Sequence, residues 1–103
     1  MDKDALRDKI VEVLRTIFDP EIPVNIYDMG LIYEINVDDS NAVHIRMTLT
    51  SPTCPVAESL PPDVRNKVRD MPEVSDCTIE LVWEPIWDRF MMSEAARLQL
   101  GFY

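Results

Sequence analysis

One cysteine at a predicted strand-to-helix corner is the residue best suited to do chemistry in this sequence. Residues 48–55 read Thr-Leu-Thr-Ser-Pro-Thr-Cys-Pro, between a strand pattern and a helix pattern. Pro55 suits the first helical position, where its missing N–H costs nothing, so Cys54 falls at or near the N-cap. The helix dipole and the free N–H groups there favour a thiolate, which makes Cys54 a candidate nucleophile or metal ligand. The alternative is a small, inert, buried thiol.

Polar side chains that the fold can bring to this corner are the candidate lining of a site. Residues 19–24 hold two prolines and two carboxylates, which form a stiff connector, and Asp28 lies in the turn before the first strand. We expect these loops to reach the side of the domain that carries Cys54, although an ordinary solvated loop is the alternative for the connector. The candidate lining residues are Asp19, Glu21, Asp28, Thr50, Thr53 and Glu58.

Two other residues of reactive types, one expected in the core and one on the solvated surface, are not expected to do chemistry. Cys77 falls on the inward face of a predicted strand, so we expect it to be buried under the first helix. His44, the single histidine, falls on the solvent face of the second strand beside Asn36. A thiol enzyme needs a base near its nucleophile, and this position of His44 argues against one.

Length and composition narrow the class of protein. The 103 residues are expected to form one domain, residues 1–103. Nineteen acidic against ten basic residues give a net charge of −9, which opposes binding to nucleic acid and to anionic membranes. The two cysteines form neither a disulfide framework nor a zinc-finger pattern, and no run of 18 apolar residues occurs. We therefore expect a cytoplasmic thiol protein that is neither exported nor inserted into a membrane.

Three helices are predicted from apolar spacing and from helix-ending residues. The first covers residues 4–18, with Asp2 or Asp4 as its cap, and should end before Pro20. After Cys54 we expect a short turn, a break near Leu60–Pro61, and a main helix from Pro62 to Asp70. A short third helix should begin after Ser93 and end at Gly101.

Three strands are predicted from alternating apolar residues at 31–37, 43–49 and 77–83. The first two should form a hairpin in which Val37 lies opposite Val43 and Glu34 opposite Arg46. The second strand, the following helix and the third strand form a β-α-β unit, so the third strand should run parallel to the second.

These elements predict an α/β (α+β) two-layer sandwich in the order α-β-β-α-β with a short C-terminal helix. A three-stranded mixed sheet carries its helices on one face. Between the last strand and the last helix, residues 83–92 contain two tryptophans, a phenylalanine and two methionines. We expect this segment to be an arm folded onto the core, with a partner or dimer surface as the alternative.

Several segments together resemble the SufT/PaaD-like family of metal–sulfur cluster assembly factors, nearly from end to end. The resemblance rests on segments within residues 19–23, 27–32, 48–55, 82–87 and 91–94. The sequence departs from the pattern at Ile86, where relatives often carry a second proline. The resemblance implies an α/β domain that helps to insert iron–sulfur clusters into apo-proteins, with Cys54 as its functional thiol and Asp19, Glu21 and Asp28 in the second signature segment.

Cluster chemistry limits what one such chain can hold. Iron–sulfur clusters are commonly bound by four thiolates, and this chain has one well-placed cysteine, so a cluster must be shared with a second subunit or a client. We expect a non-catalytic maturation factor in which Cys54 binds iron or a cluster transiently, with nothing tightly bound. Its expected partners are the assembly machinery and apo-protein clients, with a homodimer as a further option. A thiol enzyme and a plain interaction module are the alternatives.

Overall fold

The structure is a computed structural model that describes residues 2–18, 24–49 and 56–101, without the side chains of residues 56–59. Its secondary structure follows the predicted order. The elements are α1 (Lys3–Leu14), β1 (Ile32–Val37), β2 (Ala42–Met47), α2 (Val56–Arg69), β3 (Asp76–Leu81), a 3-10 turn (Arg89–Met91) and α3 (Glu94–Leu100).

The sheet has the order β1-β2-β3, with β2 in the centre. β1 pairs with β2 antiparallel, and the predicted pairs Val37 with Val43 and Glu34 with Arg46 are confirmed. β3 pairs with β2 in parallel, as expected from the β-α-β unit. A β-bulge between Ile32 and Glu34 inserts one extra residue into β1 and interrupts the expected alternation there.

The hydrophobic core lies between the sheet and the two long helices. Leu6, Ile10 and Leu14 of α1 are fully buried, as are Val64 and Val68 of α2. The inward side chains of β2 belong to the same cluster. Burial of this one face fixes the sheet register, because a slip of one residue would turn every inward side chain of β2 to solvent. The two-layer fold class is confirmed.

The first helix is shorter than its apolar spacing predicts. Asp2 caps its start by accepting from two backbone N–H groups, as expected. The helix ends at Leu14, however, and the backbone turns so that the Ile17 carbonyl accepts from the Ile26 N–H at 2.8 Å. Phe18 then forms an isolated antiparallel bridge with Asn25. Pairing with a distant segment therefore replaces the last helical turn, although Ile17 stays buried.

The second helix is continuous, so the predicted break near Leu60–Pro61 is wrong. Both prolines lie inside α2. Proline has a φ close to the helical value, and the loss of two N–H donors is offset here by burial of the stripe Leu60, Val64 and Val68. Tertiary packing thus outweighs a local helix-breaking preference.

The C-terminal arm folds back onto the turn before β1. The Trp87 Nε1–H donates to the Met29 carbonyl at 2.7 Å, and the Tyr33 hydroxyl donates to the Pro85 carbonyl at 2.8 Å. Ser93 caps α3, and Gly101 ends it with a φ of 78°, as predicted. The arm also leaves Ile86 exposed.

None of the described helices is long and apolar enough to cross a membrane.

Gly30, in the turn before β1, packs closely against the Met91 backbone of the arm. Its φ is +79°, and a Cβ there would lie 2.4 Å from the Met91 carbonyl oxygen. Gly101 has nearly the same φ, but a Cβ there would meet no atom within 4 Å. The two glycines therefore share a backbone constraint and differ in their surroundings.

We predict that Gly101→Ala lowers the free energy of unfolding by about 1 kcal/mol, from backbone strain alone. Gly30→Ala adds displacement of the Met91 backbone, so its loss should be about 3 kcal/mol or more. Urea unfolding of the two variants measures both values. Equal losses would show that the contact of Gly30 with the arm is not a constraint on the fold.

Candidate functional site

Three chain segments meet at the end of the sheet where β2 stops. Met47 pairs with Ile32 at the start of β1 and with Leu81 at the end of β3. The pairing continues one step further, since the Thr48 N–H donates to the Leu31 carbonyl and the Val82 N–H to the Met47 carbonyl, both at 2.8 Å. The turn before β1, the chain leaving β2 and the arm leaving β3 therefore lie side by side.

Asp28 occupies the turn before β1 and is held there by four contacts. Its Oδ2 accepts from the Asn25 amide at 2.8 Å, and its backbone N–H donates to Asn25 Oδ1 at the same distance. Its Oδ1 lies 3.8 Å from an Arg15 guanidinium nitrogen, and its carbonyl accepts from the Ser93 N–H at 2.8 Å. Asp28 thus joins the end of α1, the turn and the start of α3, with its side chain one quarter exposed.

The remaining predicted site residues fall where the structure gives no side-chain placement. Asp19 and Glu21 belong to residues 19–23, and Thr50, Thr53 and Cys54 to residues 50–55, all outside the described residues. Glu58 lies on α2, but its side chain is not described. Their grouping around Cys54 stays a prediction.

Both segments are flanked by residues that the structure describes. Phe18 and Asn25, the described residues nearest to residues 19–23 that pair with each other, form a direct bridge, and Asn25 also contacts Asp28. Residues 50–55 join Leu49, just past the end of β2, to Val56 at the start of α2. Within residues 2–18, 24–49 and 56–101, no group of three or more His, Cys, Asp or Glu side chains could hold a metal ion.

Cys77 is a core residue, as predicted, with 2% of its surface exposed. Burial raises the pKa of its thiol to about 11, with a smaller contribution from Asp76, while Arg65 and Arg69 oppose the shift. These two arginines belong to α2, so Cys77 lies beneath α2 and not beneath α1 as expected. The parallel crossover from β2 to β3 explains this, because it places α2 next to β3.

His44 lies on the open face of the sheet, as predicted. Its Nδ1 is 2.8 Å from the Thr78 hydroxyl, and its Nε2 is 3.0 Å from a carboxylate oxygen of Glu80. Both partners are on β3. The imidazole therefore belongs to a polar network on the face opposite the helices.

Sequence reasoning missed how the arm supports this end of the sheet. Tyr33 contacts both Pro85 and Met91, and burial raises the pKa of its phenol. Trp87 holds the carbonyl of Met29, next to Asp28. One signal was present: Gly30 is one of only two glycines in the chain and stands directly before a strand.

Comparison with known proteins agrees with this fold and indicates a family. The family described as iron–sulfur cluster assembly protein matches residues 7–81. A Porphyromonas gingivalis relative named Fe-S protein maturation auxiliary factor is 52% identical over 93 residues, which is 90% of this chain and 89% of the relative. The Staphylococcus aureus Fe-S protein maturation auxiliary factor SufT is 38% identical over 85 residues, with 82% and 97% covered.

A solved structure supports the same fold. The crystal structure of a domain of unknown function, DUF59, from Bacillus anthracis superposes with a TM-score of 0.89 at 35% identity, covering 97% of this chain and 95% of that one. The fold thus defines the class as a small α+β domain in which the turn that contains Asp28 is held at one end of the sheet. The chain belongs to the iron–sulfur cluster assembly protein family, and within it resembles SufT.

Burial of Cys77 predicts a specific dependence of stability on pH. In the unfolded chain this thiol ionises near its ordinary pKa of 9.0, whereas in the folded protein it stays protonated up to about 11. The contribution of this thiol to the free energy of unfolding is therefore fully present below pH 9. About 2 kcal/mol of it is lost as the pH rises toward 11.

Urea unfolding of the wild type and of Cys77→Ala at a series of pH values isolates this effect, since all other titrating groups are shared. We expect the wild type to lose about 2 kcal/mol more than the variant across that interval. Parallel pH curves would contradict a buried, neutral Cys77.

Proposed function

We propose that this chain is an accessory factor in the maturation of iron–sulfur proteins and that Cys54 binds iron or a cluster transiently as cargo. The convergence of three segments at the end of β2 carries the proposal, because residues 50–55 start from that end. Membership in the iron–sulfur cluster assembly protein family supports the biological role. Related proteins of similar length are named maturation auxiliary factors.

The chemistry of the thiols favours a shared cluster. Cys77 is buried and protonated at neutral pH, which leaves Cys54 as the one thiol of the chain available for a ligand role. Four thiolates commonly hold a cluster, so the other ligands must come from a second subunit, a client or non-thiol groups. A cluster held in this way is exchanged easily, which suits transfer to apo-proteins.

The turn that contains Asp28 is held in one geometry by its contacts with neighbouring segments. Asp28 is held from α1, from Asn25 and from α3, and the neighbouring carbonyl of Met29 is held by Trp87. A carboxylate in a preorganised turn can orient a metal-binding group or a partner backbone at little entropic cost. In this proposal, Asp28 is the second functional group of the site, and Asp19 and Glu21 complete its acidic rim.

A non-catalytic role is the better interpretation of the described geometry. The single histidine of the chain is engaged with Thr78 and Glu80 on the open sheet face, away from the helix layer. The usual base for a cysteine nucleophile is therefore committed elsewhere. The partners this role requires are the cluster assembly machinery and apo-protein clients in the cytoplasm, and the net charge of −9 disfavours nucleic acid.

Paired cysteine variants test the proposal. Cys54→Ser keeps nearly the same size and supplies a hydroxyl oxygen that can cap a helix, so stability should change by less than about 1 kcal/mol, whereas iron–sulfur enzyme activities in cells that depend on the variant should fall. Cys77→Ser places a hydroxyl in an apolar layer and should cost about 1–3 kcal/mol. Its iron–sulfur activities should track the amount of folded protein. Full activity of Cys54→Ser at normal protein level would remove the thiol from the mechanism.

A second pair of variants separates a functional from a structural Asp28. Asp28→Asn keeps the shape and an acceptor for Asn25, while Arg15→Gln removes the same ion pair from the other side. Each should change stability by less than about 1 kcal/mol, because the pair is partly exposed. We expect only Asp28→Asn to lower iron–sulfur enzyme activities in cells. If the two variants lowered these activities equally, Asp28 would matter only as the ion-pair partner of Arg15.

A further inference from the structure

The outer edge of β3 is an unpaired strand edge within the described structure. β3 is the last strand of the sheet and has β2 as its one neighbour. The Val82 N–H points to β2, so by alternation the backbone groups of Cys77, Ile79 and Leu81 point outward. The outward N–H of Cys77 is taken by the Asp76 side chain at 2.8 Å. Ile79 and Leu81 therefore present the backbone groups that an added strand would pair with.

A groove runs along this edge between β3 and α2. Its volume is about 420 Å³, and Pro61, Pro62, Arg65, Arg69 and residues 76–79 line it. The two arginines are exposed on α2. The groove is thus open to a chain segment lying beside β3, with α2 as its wall.

Arg65 and Arg69 stand out in an acidic protein because neither has a carboxylate partner among the described residues. Most of the other basic side chains there form ion pairs, including Lys67 with Asp63 on the same helix. Arg69 donates to the amide oxygen of Asn66. The groove also contains one carboxylate, Asp76, which accepts from the Cys77 N–H.

The spacing of the two arginines matches the repeat of a strand. Residues four apart on a helix are separated by about 6 Å along its axis. Alternate residues of a strand, whose side chains share a face, are separated by about 6.7 Å. Two acidic side chains at positions i and i+2 of a strand added to β3 would therefore each face one arginine.

We infer that the β3 edge binds an extended acidic segment of a partner protein as a fourth strand, with its alternate carboxylates paired to Arg65 and Arg69. Backbone pairing to Ile79 and Leu81 would supply affinity, and the arginines would select acidic side chains. This inference goes beyond the proposed function and does not depend on the role of Cys54.

A second copy of this chain is a poorer occupant of the same edge. Pairing of two β3 edges would be isologous, so it would bring the arginines of both copies to one junction. Each copy also carries a net charge of −9. Repulsion between the arginines, and between two copies of the same net charge, would oppose this contact. An acidic strand would instead neutralise the groove.

A defined peptide tests the inference with the full chain under reducing conditions. The probe is a fluorescein-labelled peptide of about eight residues with alternating valine and glutamate. We expect saturable fluorescence anisotropy, and slower hydrogen exchange at the amides of Ile79 and Leu81 when the peptide is bound. A peptide with lysine in place of glutamate, and one with alternate N-methylated amides, should not bind.

The test variant carries both Arg65→Gln and Arg69→Gln. The control is Lys67→Gln, which removes a positive charge from the same helix but not from the lining of the groove. The double variant should bind the glutamate peptide about tenfold more weakly, and the control should bind it normally. Cys54→Ser should also bind it normally, which separates this result from the test of the thiol. No saturable binding up to about 1 mM, equal binding of the lysine or N-methylated peptide, or an unaffected double variant would overturn the inference.

Discussion

The two-sided pairing of β2 is the constraint on which the arrangement depends. Its inward residues Val43, Ile45 and Met47 are buried, and a shift of one position would expose them all. Because β2 pairs with β1 on one side and β3 on the other, this one register decides which loops meet. The Asp28 turn, the chain leading from β2 toward Cys54 and the aromatic arm converge because Met47 stands at the end of both ladders.

The C-terminal arm holds the Asp28 turn in place through several contacts. The Trp87 indole, the Tyr33 hydroxyl and the Ser93 N–H each donate to a backbone carbonyl, and Gly30 lets the Met91 backbone approach closely. A turn held from several sides has little conformational freedom to lose when it engages a metal or a partner. The arm therefore supports the Asp28 turn, and it also carries exposed residues such as Ile86.

Patterned segments could be predicted from the sequence, and contacts between distant segments could not. Alternation gave the pairing of Val37 with Val43, and cap chemistry gave Ser93 and Gly101, because each depends on neighbouring residues. The early end of α1 depends on pairing with residues 25–26, and the continuity of α2 through Pro61 depends on burial against the core. For the candidate site, Asp28 could be selected from the sequence because it is a carboxylate in a turn before a strand. Its contacts with Arg15 and with the start of α3 could not be predicted, because those residues are distant in the sequence.

Paramagnetic NMR tests most directly whether the end of β2 is where iron or a cluster binds. The ¹⁵N-labelled Cys77→Ala protein would be incubated anaerobically with ferrous iron and sulfide, with Cys54→Ser carrying the same Cys77→Ala change as the control. The account predicts selective broadening of amides at the β2 end, such as Gly30, Thr48 and Val82, and none at Ser40 or Ser75 beyond the opposite end of the sheet. It predicts no broadening in the control. Broadening centred on the opposite end, or persisting without Cys54, would contradict the account.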